Sequence, residues 1–247
     1  MIVEEYLNNI VDKEGAAHLT LIDPDSQTPE KASEIAVQAM QGGTDAIMVG
    51  GSTSVGSAVL DQTVLEIKKN TSLPIILFPS SASGLSKHAD AIFFMSLLNS
   101  RNVDFITTFQ ALGAPLVLQY GIEPISMAYI IIEPGGTAGW ISDAKCIPRT
   151  KPEIAVAYSL AGKYLGMHYI YLEAGSGADQ PVPAKMISLV KKAVQDRKLI
   201  VGGGIGSAST AKKCVNAGAD MIVTGTAIEG RVDVRSKIEE IVNAIKF

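Results

Sequence analysis

The chain carries eight short apolar runs, at residues 18–22, 45–49, 74–78, 91–95, 127–132, 169–172, 199–201 and 221–224. Most are rich in β-branched residues and are followed by Gly, Ser, Asp or Pro and then by a longer amphipathic stretch. Short apolar runs bounded by turn residues read as buried strands, and the stretches between them as helices. Apolarity within the runs is continuous rather than alternating, as in PIILF, which is the pattern of parallel strands covered on both faces. An open doubly wound sheet shares that pattern. Eight strand–helix units within 247 residues predict instead an α/β fold of the (β/α)8 TIM-barrel kind, for which about 250 residues is typical, with residues 1–247 as one domain.

Some helices announce themselves. Residues 30–40 follow Thr28-Pro29 and residues 152–164 follow Thr150, both placements that favour a helix start. Residues 79–88, PSSASGLSKH, are too few and too rich in Ser and Gly for a full helix. One outer helix, between strands 3 and 4, is therefore expected to be replaced by a loop. Residues 133–150 form a long strand-to-helix connection, and long loops on that side of a barrel carry function. They read as an active-site flap, or as a plain irregular loop. Residues 1–15 mix five acidic or basic side chains with apolar ones, so they lack a signal core and read as a capping helix.

Composition narrows the partners. A net charge of −4 gives no broad electropositive field, so nucleic acid is excluded. No apolar run reaches the ~20 residues a membrane span needs, although contact with a membrane surface stays open. Cys146 and Cys214 lack the spacing of a zinc or redox pair and read as unpaired thiols of a reducing, cytoplasmic setting. His18, His88 and His168 stand apart from any nucleophile or metal-ligand pattern and read as structural.

Three glycine-bearing loops follow the last three strands: EAGSGA at residues 173–178, GGGIG at 202–206, and Gly225-Thr226. In a barrel of this kind the loops after strands 7 and 8, with a short helix N-terminus, commonly hold phosphate. Glycine lets backbone N–H groups approach an oxyanion, and the helix dipole adds favourable potential. Helices entered near Ser207 and through TGTAIEG would supply the N-termini. The alternative is that these glycines only turn the chain.

Acidic groups stand at three strand tips. Asp23 ends the first strand in LIDPD, and Ser52 and Thr53 lie at the second tip in GGSTS. Asp23 with Ser52 would suit a Mg²⁺ ion that keeps waters and borrows phosphate oxygens. The competing reading of Asp23, and more strongly of Asp25, is a turn or capping carboxylate. Glu173 ends the sixth strand beside the phosphate loop, with Tyr171 two residues earlier on the same face. Glu173 is the best-placed general base for a substrate hydroxyl, and Glu133 at the fifth tip is a second candidate.

Taken together, LIDPD, GGSTS, LFPSS, EPGGTAGW, YLEAGSGA, VGGGI and VTGTAIEG span nearly the whole chain and resemble the geranylgeranylglyceryl phosphate synthase family. The resemblance implies a Mg²⁺-dependent prenyltransferase that joins geranylgeranyl diphosphate to the 3-hydroxyl of sn-glycerol 1-phosphate, the first ether bond of archaeal membrane phospholipids. It implies a metal site at Asp23 and Ser52. It implies a glycerol-phosphate site at Tyr171, Leu172, Glu173, Ala174, Gly175, Ser176, Gly177, Gly203, Gly204, Gly225 and Thr226, and a homo-oligomer, dimer or hexamer. A C20 chain needs an apolar trough, for which the gap at residues 79–88 is the expected place, with Phe78, Phe93, Phe94, Tyr120, Tyr129 and Trp140 as candidate linings. Three rivals remain: the same reaction on another prenyl length, a phosphate-binding barrel isomerase, and a non-catalytic scaffold. EPGGTAGW and YLEAGSGA argue against the isomerase, and the joint presence of Asp23, Tyr171 and Glu173 against the scaffold.

Overall fold

A computed structural model describes residues 2–51, 57–227 and 233–247. Eight parallel strands close in sequence order into a barrel: β1 (Ala17–Ile22), β2 (Ala46–Val49), β3 (Ile75–Leu77), β4 (Ala91–Leu97), β5 (Glu123–Ile131), β6 (Tyr169–Glu173), β7 (Lys198–Gly202) and β8 (Met221–Thr224). Side chains alternate across each strand. Leu19, Met48, Phe93, Met127, Tyr169, Tyr171 and Ile200 pack inside the barrel, while Ile47, Ile130, Ile170, Leu172 and Val201 pack outward.

The outward face is covered by α2 (Pro29–Gln41), α3 (Ser57–Asn70), α4 (Phe109–Tyr120), α6 (Pro152–Tyr164), α7 (Ala184–Val194), α8 (Ala208–Asn216) and α9 (Val234–Ile245). Their burial follows helical spacing. Met186, Ile187, Val190 and Val194 of α7 are all fully buried, each worth roughly 1.5–3 kcal/mol relative to exposure. Between β3 and β4 no helix forms, as the Ser- and Gly-rich segment foretold. Leu85 and Ala89 from that loop are buried beside Ile92, so the loop plugs part of the space a helix would fill.

The N-terminal end of the barrel is capped by α1 (Val3–Glu14), whose Val3, Leu7 and Val11 join the interior cluster. Ile2 has no side chain able to cap this helix. The carboxylate of Glu123, at the start of β5, instead accepts the N–H groups of Val3 and Glu4, an acidic group at the positive end of the helix dipole.

His18 is structural, as its isolation in the sequence suggested. Its buried ring bonds the hydroxyls of Thr44 at 2.9 Å and Thr224 at 3.0 Å. Burial, aided by the charge of Lys246, holds its pKa down at about 3. A depressed pKa adds stability that is complete above the unfolded value of about 6.5 and is lost as pH falls towards the folded one. The unfolding free energy is therefore expected to fall by on the order of 4 kcal/mol between pH 6.5 and 3, a steepness that urea titrations at a series of pH values would read. An imidazole ¹⁵N spectrum showing a charged ring in the folded protein at pH 5 would refute it.

Candidate active site

At the C-terminal end of the strands lies one continuous cavity of about 540 Å³. Its polar end is built by the three glycine-bearing loops, with Ser176, Gly177, Gly203, Gly204, Ser207, Gly225 and Thr226 in its wall. Gly203 and Gly204 stand at φ +78° and +69°, and Gly175 and Gly177 at +105° and +72°, a region L side chains rarely adopt. The close approaches are as demanding. A Cβ on Gly204 would stand 2.5 Å from the Gln180 carbonyl carbon, and one on Gly175 would stand 2.7 Å from Gly136 N. The Ser176 and Thr226 hydroxyls bond each other at 2.7 Å and tie the loops after β6 and β8. Ser207 caps α8 by accepting the Thr210 N–H. The helix starts at the cavity wall, so its dipole and free N–H groups favour an anion there. The second N-terminus, expected through TGTAIEG, lies outside the described residues.

Glu173 sits where this polar end meets the barrel mouth. The residue is buried, and one carboxylate oxygen accepts the Gly175 N–H at 2.6 Å. The phenols of Tyr171 and Tyr129 also hydrogen-bond the carboxylate. Burial pushes its pKa above the ordinary glutamate value, and the bonds from Gly175, Tyr171 and Tyr129 oppose that push. Burial, followed by the nearby carboxylate, drives both phenol pKa values well up, so both tyrosines stay protonated donors. Their rings are locked by packing: Tyr171 stacks on Phe78 at 5.7 Å, and Tyr129 meets Tyr171 edge-on at 5.1 Å. Glycine makes room for this constellation. A Cβ on Gly202 would stand 2.0 Å from the Tyr171 hydroxyl, and one on Gly203 would stand 2.4 Å from a Glu173 oxygen.

Beyond Glu173 the cavity turns apolar. It runs between β4 and α4 into the gap left by the missing helix, lined by Pro79, Leu85, Ile92, Phe93, Phe94, Phe105, Phe109 and Val117. Of the six aromatics considered from sequence, Phe78, Phe93, Phe94 and Tyr129 line the cavity, whereas Tyr120 and the exposed Trp140 do not. Phe105, Phe109 and Gln110 escaped sequence reasoning. For Phe109 a signal was present, because FQALGAPLVLQY has no charged residue and an uncharged helix over an apolar gap marks a wall. The 133–150 connection contributes Ala138, Ile141 and Ser142 to the cavity, with a short helix, α5 (Gly136–Ile141), inside it.

Three residues expected in the phosphate site, Leu172, Ala174 and Gly175, do not line the cavity, and the Gly175 N–H is already given to Glu173. Strand alternation packs Leu172 against the outer helices, and Ala174 is buried in the same outward cluster. The Ala174 N–H and C=O are already bonded to Gly202 and Gly135. Glu133 is exposed and outside the cavity wall, which removes it as a second base.

Asp23 is half-buried at the rim, behind the cavity-lining Gly51, where a Cβ would stand 2.5 Å from an Asp23 oxygen. Burial raises its pKa, the Asp25 N–H bond of 2.9 Å counteracts this, and the Asp25 charge adds to it. Asp25 itself is exposed. Ser52 and Thr53 lie outside the described residues. Among the described residues no group of three or more His, Cys, Asp or Glu could hold a metal. A lone carboxylate beside a phosphate grip nevertheless fits Mg²⁺, which takes one or two carboxylates and completes its shell with water and phosphate oxygens.

The barrel and its cavity define a class: a TIM-barrel enzyme whose cavity runs from glycine-bearing loops past a buried carboxylate into an apolar trough. The chain belongs to the PcrB family, whose profile matches residues 8–245. It is 65% identical over 246 residues to the geranylgeranylglyceryl phosphate synthase of Methanococcoides burtonii, covering 100% of both chains. Its fold superposes with a TM-score of 0.96 on the wild-type GGGPS of Thermoplasma volcanium, at 46% identity over 100% of this chain and 98% of that one. It matches with a TM-score of 0.95 the (S)-3-O-geranylgeranylglyceryl phosphate synthase of Thermoplasma acidophilum in complex with sn-glycerol-1-phosphate, at 41% identity over 100% and 98% of the two chains.

Proposed function

We propose that this chain joins geranylgeranyl diphosphate to the 3-hydroxyl of sn-glycerol 1-phosphate, giving 3-O-geranylgeranyl-sn-glyceryl 1-phosphate and diphosphate. The observation that carries this reading is the position of Glu173, a buried carboxylate standing in one cavity between a phosphate grip and an apolar trough. The names of the relatives support it, as does the sn-glycerol-1-phosphate bound by the Thermoplasma acidophilum protein.

The glycine loops and the α8 N-terminus hold the acceptor phosphate, which directs the glycerol hydroxyl towards Glu173. The carboxylate takes the hydroxyl proton as the glycerol oxygen bonds the allylic C1 carbon. The C1–O bond breaks in the same step, and diphosphate leaves with the electron pair. Asp23, with Ser52, would hold a Mg²⁺ ion, and that ion would supply charge neutralisation for the leaving group. Tyr171 and Tyr129 keep Glu173 aimed. The apolar trough gains about 0.8 kcal/mol for each CH₂ it buries, so its length selects the prenyl chain.

Two facts favour a peripheral rather than a spanning relation to lipid. Among the described residues no helix is long and apolar enough to cross a membrane, and the product is amphipathic. Leu112 and Leu116, four residues apart on α4, are exposed, an apolar strip that suits assembly of copies into a homo-oligomer, dimer or hexamer. The two unpaired cysteines suit a cytoplasmic setting.

The test is an incubation of the purified protein with labelled sn-glycerol 1-phosphate, geranylgeranyl diphosphate and Mg²⁺, with and without EDTA, followed by butanol extraction. Label entering butanol only without EDTA is expected. A preference for farnesyl or a longer diphosphate would revise the chain length, and no transfer with any of them would end the prenyltransferase reading. A second expectation concerns Arg149, which sequence reasoning missed. Its guanidinium donates to the carbonyls of Glu133, Gln180 and Pro181, at 3.3, 3.5 and 2.7 Å, and so clips the 133–150 loop to the segment packed on Gly204. Arg149→Ala should raise KM for sn-glycerol 1-phosphate about tenfold, the equivalent of one charged hydrogen bond, while KM for the prenyl diphosphate stays within about twofold.

A further inference from the structure

The wall of the trough contains a break in helical register. Residues Asp104–Thr108 form a π turn that runs directly into α4, with the Phe109 N–H bonded to the Asp104 carbonyl. Such turns are rare and mark functional sites, because a wider turn is less favourable than the α-helix it interrupts. Here side chains from both sides of the trough hold it. The Gln110 Nε2 donates to the Met95 carbonyl at 2.6 Å and to the Phe105 carbonyl at 3.1 Å, and the Ser96 Oγ donates to the Ile106 carbonyl at 2.8 Å. Both acceptors of Gln110 are carbonyls, so its NH₂ edge must face them, and the amide becomes a strut between β4 and the π turn.

The turn carries Phe105 into the cavity wall, where it meets Phe109 edge-on at 5.2 Å. Phe109, Gly113 and Val117 are spaced by four and continue the same wall down α4, over about 12 Å at 1.5 Å per residue. Gly113 has no side chain to intrude there. A Cβ at this position would touch only Leu85, at 3.6 Å. How far Phe105 and Phe109 stand into the trough limits how far along it an isoprenoid can run, and the Gln110 strut holds the turn that carries them.

We propose that the Asp104–Thr108 π turn is the gauge for the prenyl chain, and that Gln110 and Ser96 are positioning residues that hold it in register. The proposal rests on the prenyl-transfer reading and assigns it a selectivity element. When the struts are lost the turn can relax to α-helical register, which rotates Phe105 relative to the trough.

The test compares Gln110→Met, which keeps length and removes the donor, with Ser96→Ala, which deletes one hydroxyl. Steady-state kinetics with farnesyl, geranylgeranyl and a longer prenyl diphosphate give the selectivity, and KM for sn-glycerol 1-phosphate reports the other end of the site. The expected result is a roughly tenfold fall in the preference for the wild-type chain length in Gln110→Met and a smaller fall in Ser96→Ala, with KM for sn-glycerol 1-phosphate within about twofold. Unchanged selectivity in both variants overturns the proposal, as does an equal loss for every donor and for the acceptor. If Gln110→Met does not fold, Ser96→Ala alone decides between these outcomes. A wild-type protein that transfers no prenyl group at all would instead bring down the underlying reading.

Discussion

Replacing Glu173 with glutamine is expected to lower kcat by about 10²–10⁴, the usual contribution of a positioned proton acceptor. The variant keeps an oxygen to receive the Gly175 N–H, which now bonds the carboxylate at 2.6 Å, so KM for sn-glycerol 1-phosphate should change far less than kcat. Single-turnover rates with both substrates bound would separate the two. Turnover within a few fold of wild type would remove Glu173 from the chemistry. The pH profile gives an independent reading. Only ionised Glu173 can accept a proton, and burial raises its pKa, so kcat/KM should fall on the acid side through an apparent pKa above the ordinary glutamate range. A raised pKa also means that the folded protein holds this proton more tightly than the unfolded chain. The stability it confers is complete below the unfolded pKa and is lost as pH rises through the folded one. Wherever the carboxylate is charged it therefore detracts from stability, a cost borne by the site.

Gly203→Ala should be the most damaging single-methyl change in the molecule for acceptor binding. Gly203 stands at φ +78°, where a side chain costs roughly 1–2 kcal/mol. The new Cβ would also lie 2.4 Å from a Glu173 oxygen, 2.6 Å from Gly175 N and 2.7 Å from Gly175 O. Two of those three atoms are backbone of a phosphate loop, so the loop or the base must move. A KM for sn-glycerol 1-phosphate at least about a hundredfold higher is expected, equivalent to roughly 3 kcal/mol, together with a lower kcat. Calorimetric titration with sn-glycerol 1-phosphate alone would check the binding part. An affinity near that of wild type would show that the loop does not grip phosphate.

The strands and the glycine-bearing loops at the barrel mouth were legible because both are encoded locally. A buried parallel strand needs a continuous apolar run, and a backbone anion site needs glycine, so each leaves a mark within a few residues. β5 was the least legible strand: it begins at Glu123 rather than near Met127, and its first residues carry Glu and Pro because they pair near the barrel's edge and cap α1. Leu172 and Ala174 were drawn into the site by adjacency in the chain, although alternation across β6 sends them outward. Gln110 and Arg149 were beyond the sequence for a different reason. Each acts through backbone carbonyls brought near by tertiary structure, and no spacing rule announces such an acceptor.

The two ends of the cavity are written in different materials. Glycine-bearing loops, most of whose glycines leave no room for a side chain, frame the end proposed for the acceptor, while ordinary side chains on β4 and α4 and the loop that stands in for an outer helix line the end proposed for the donor. Divergence on this scaffold is therefore lopsided. Point substitutions can lengthen, shorten or reshape the lipid end one residue at a time, whereas the headgroup end takes its shape from glycines at positive φ and close approach, so reshaping it means rebuilding a loop.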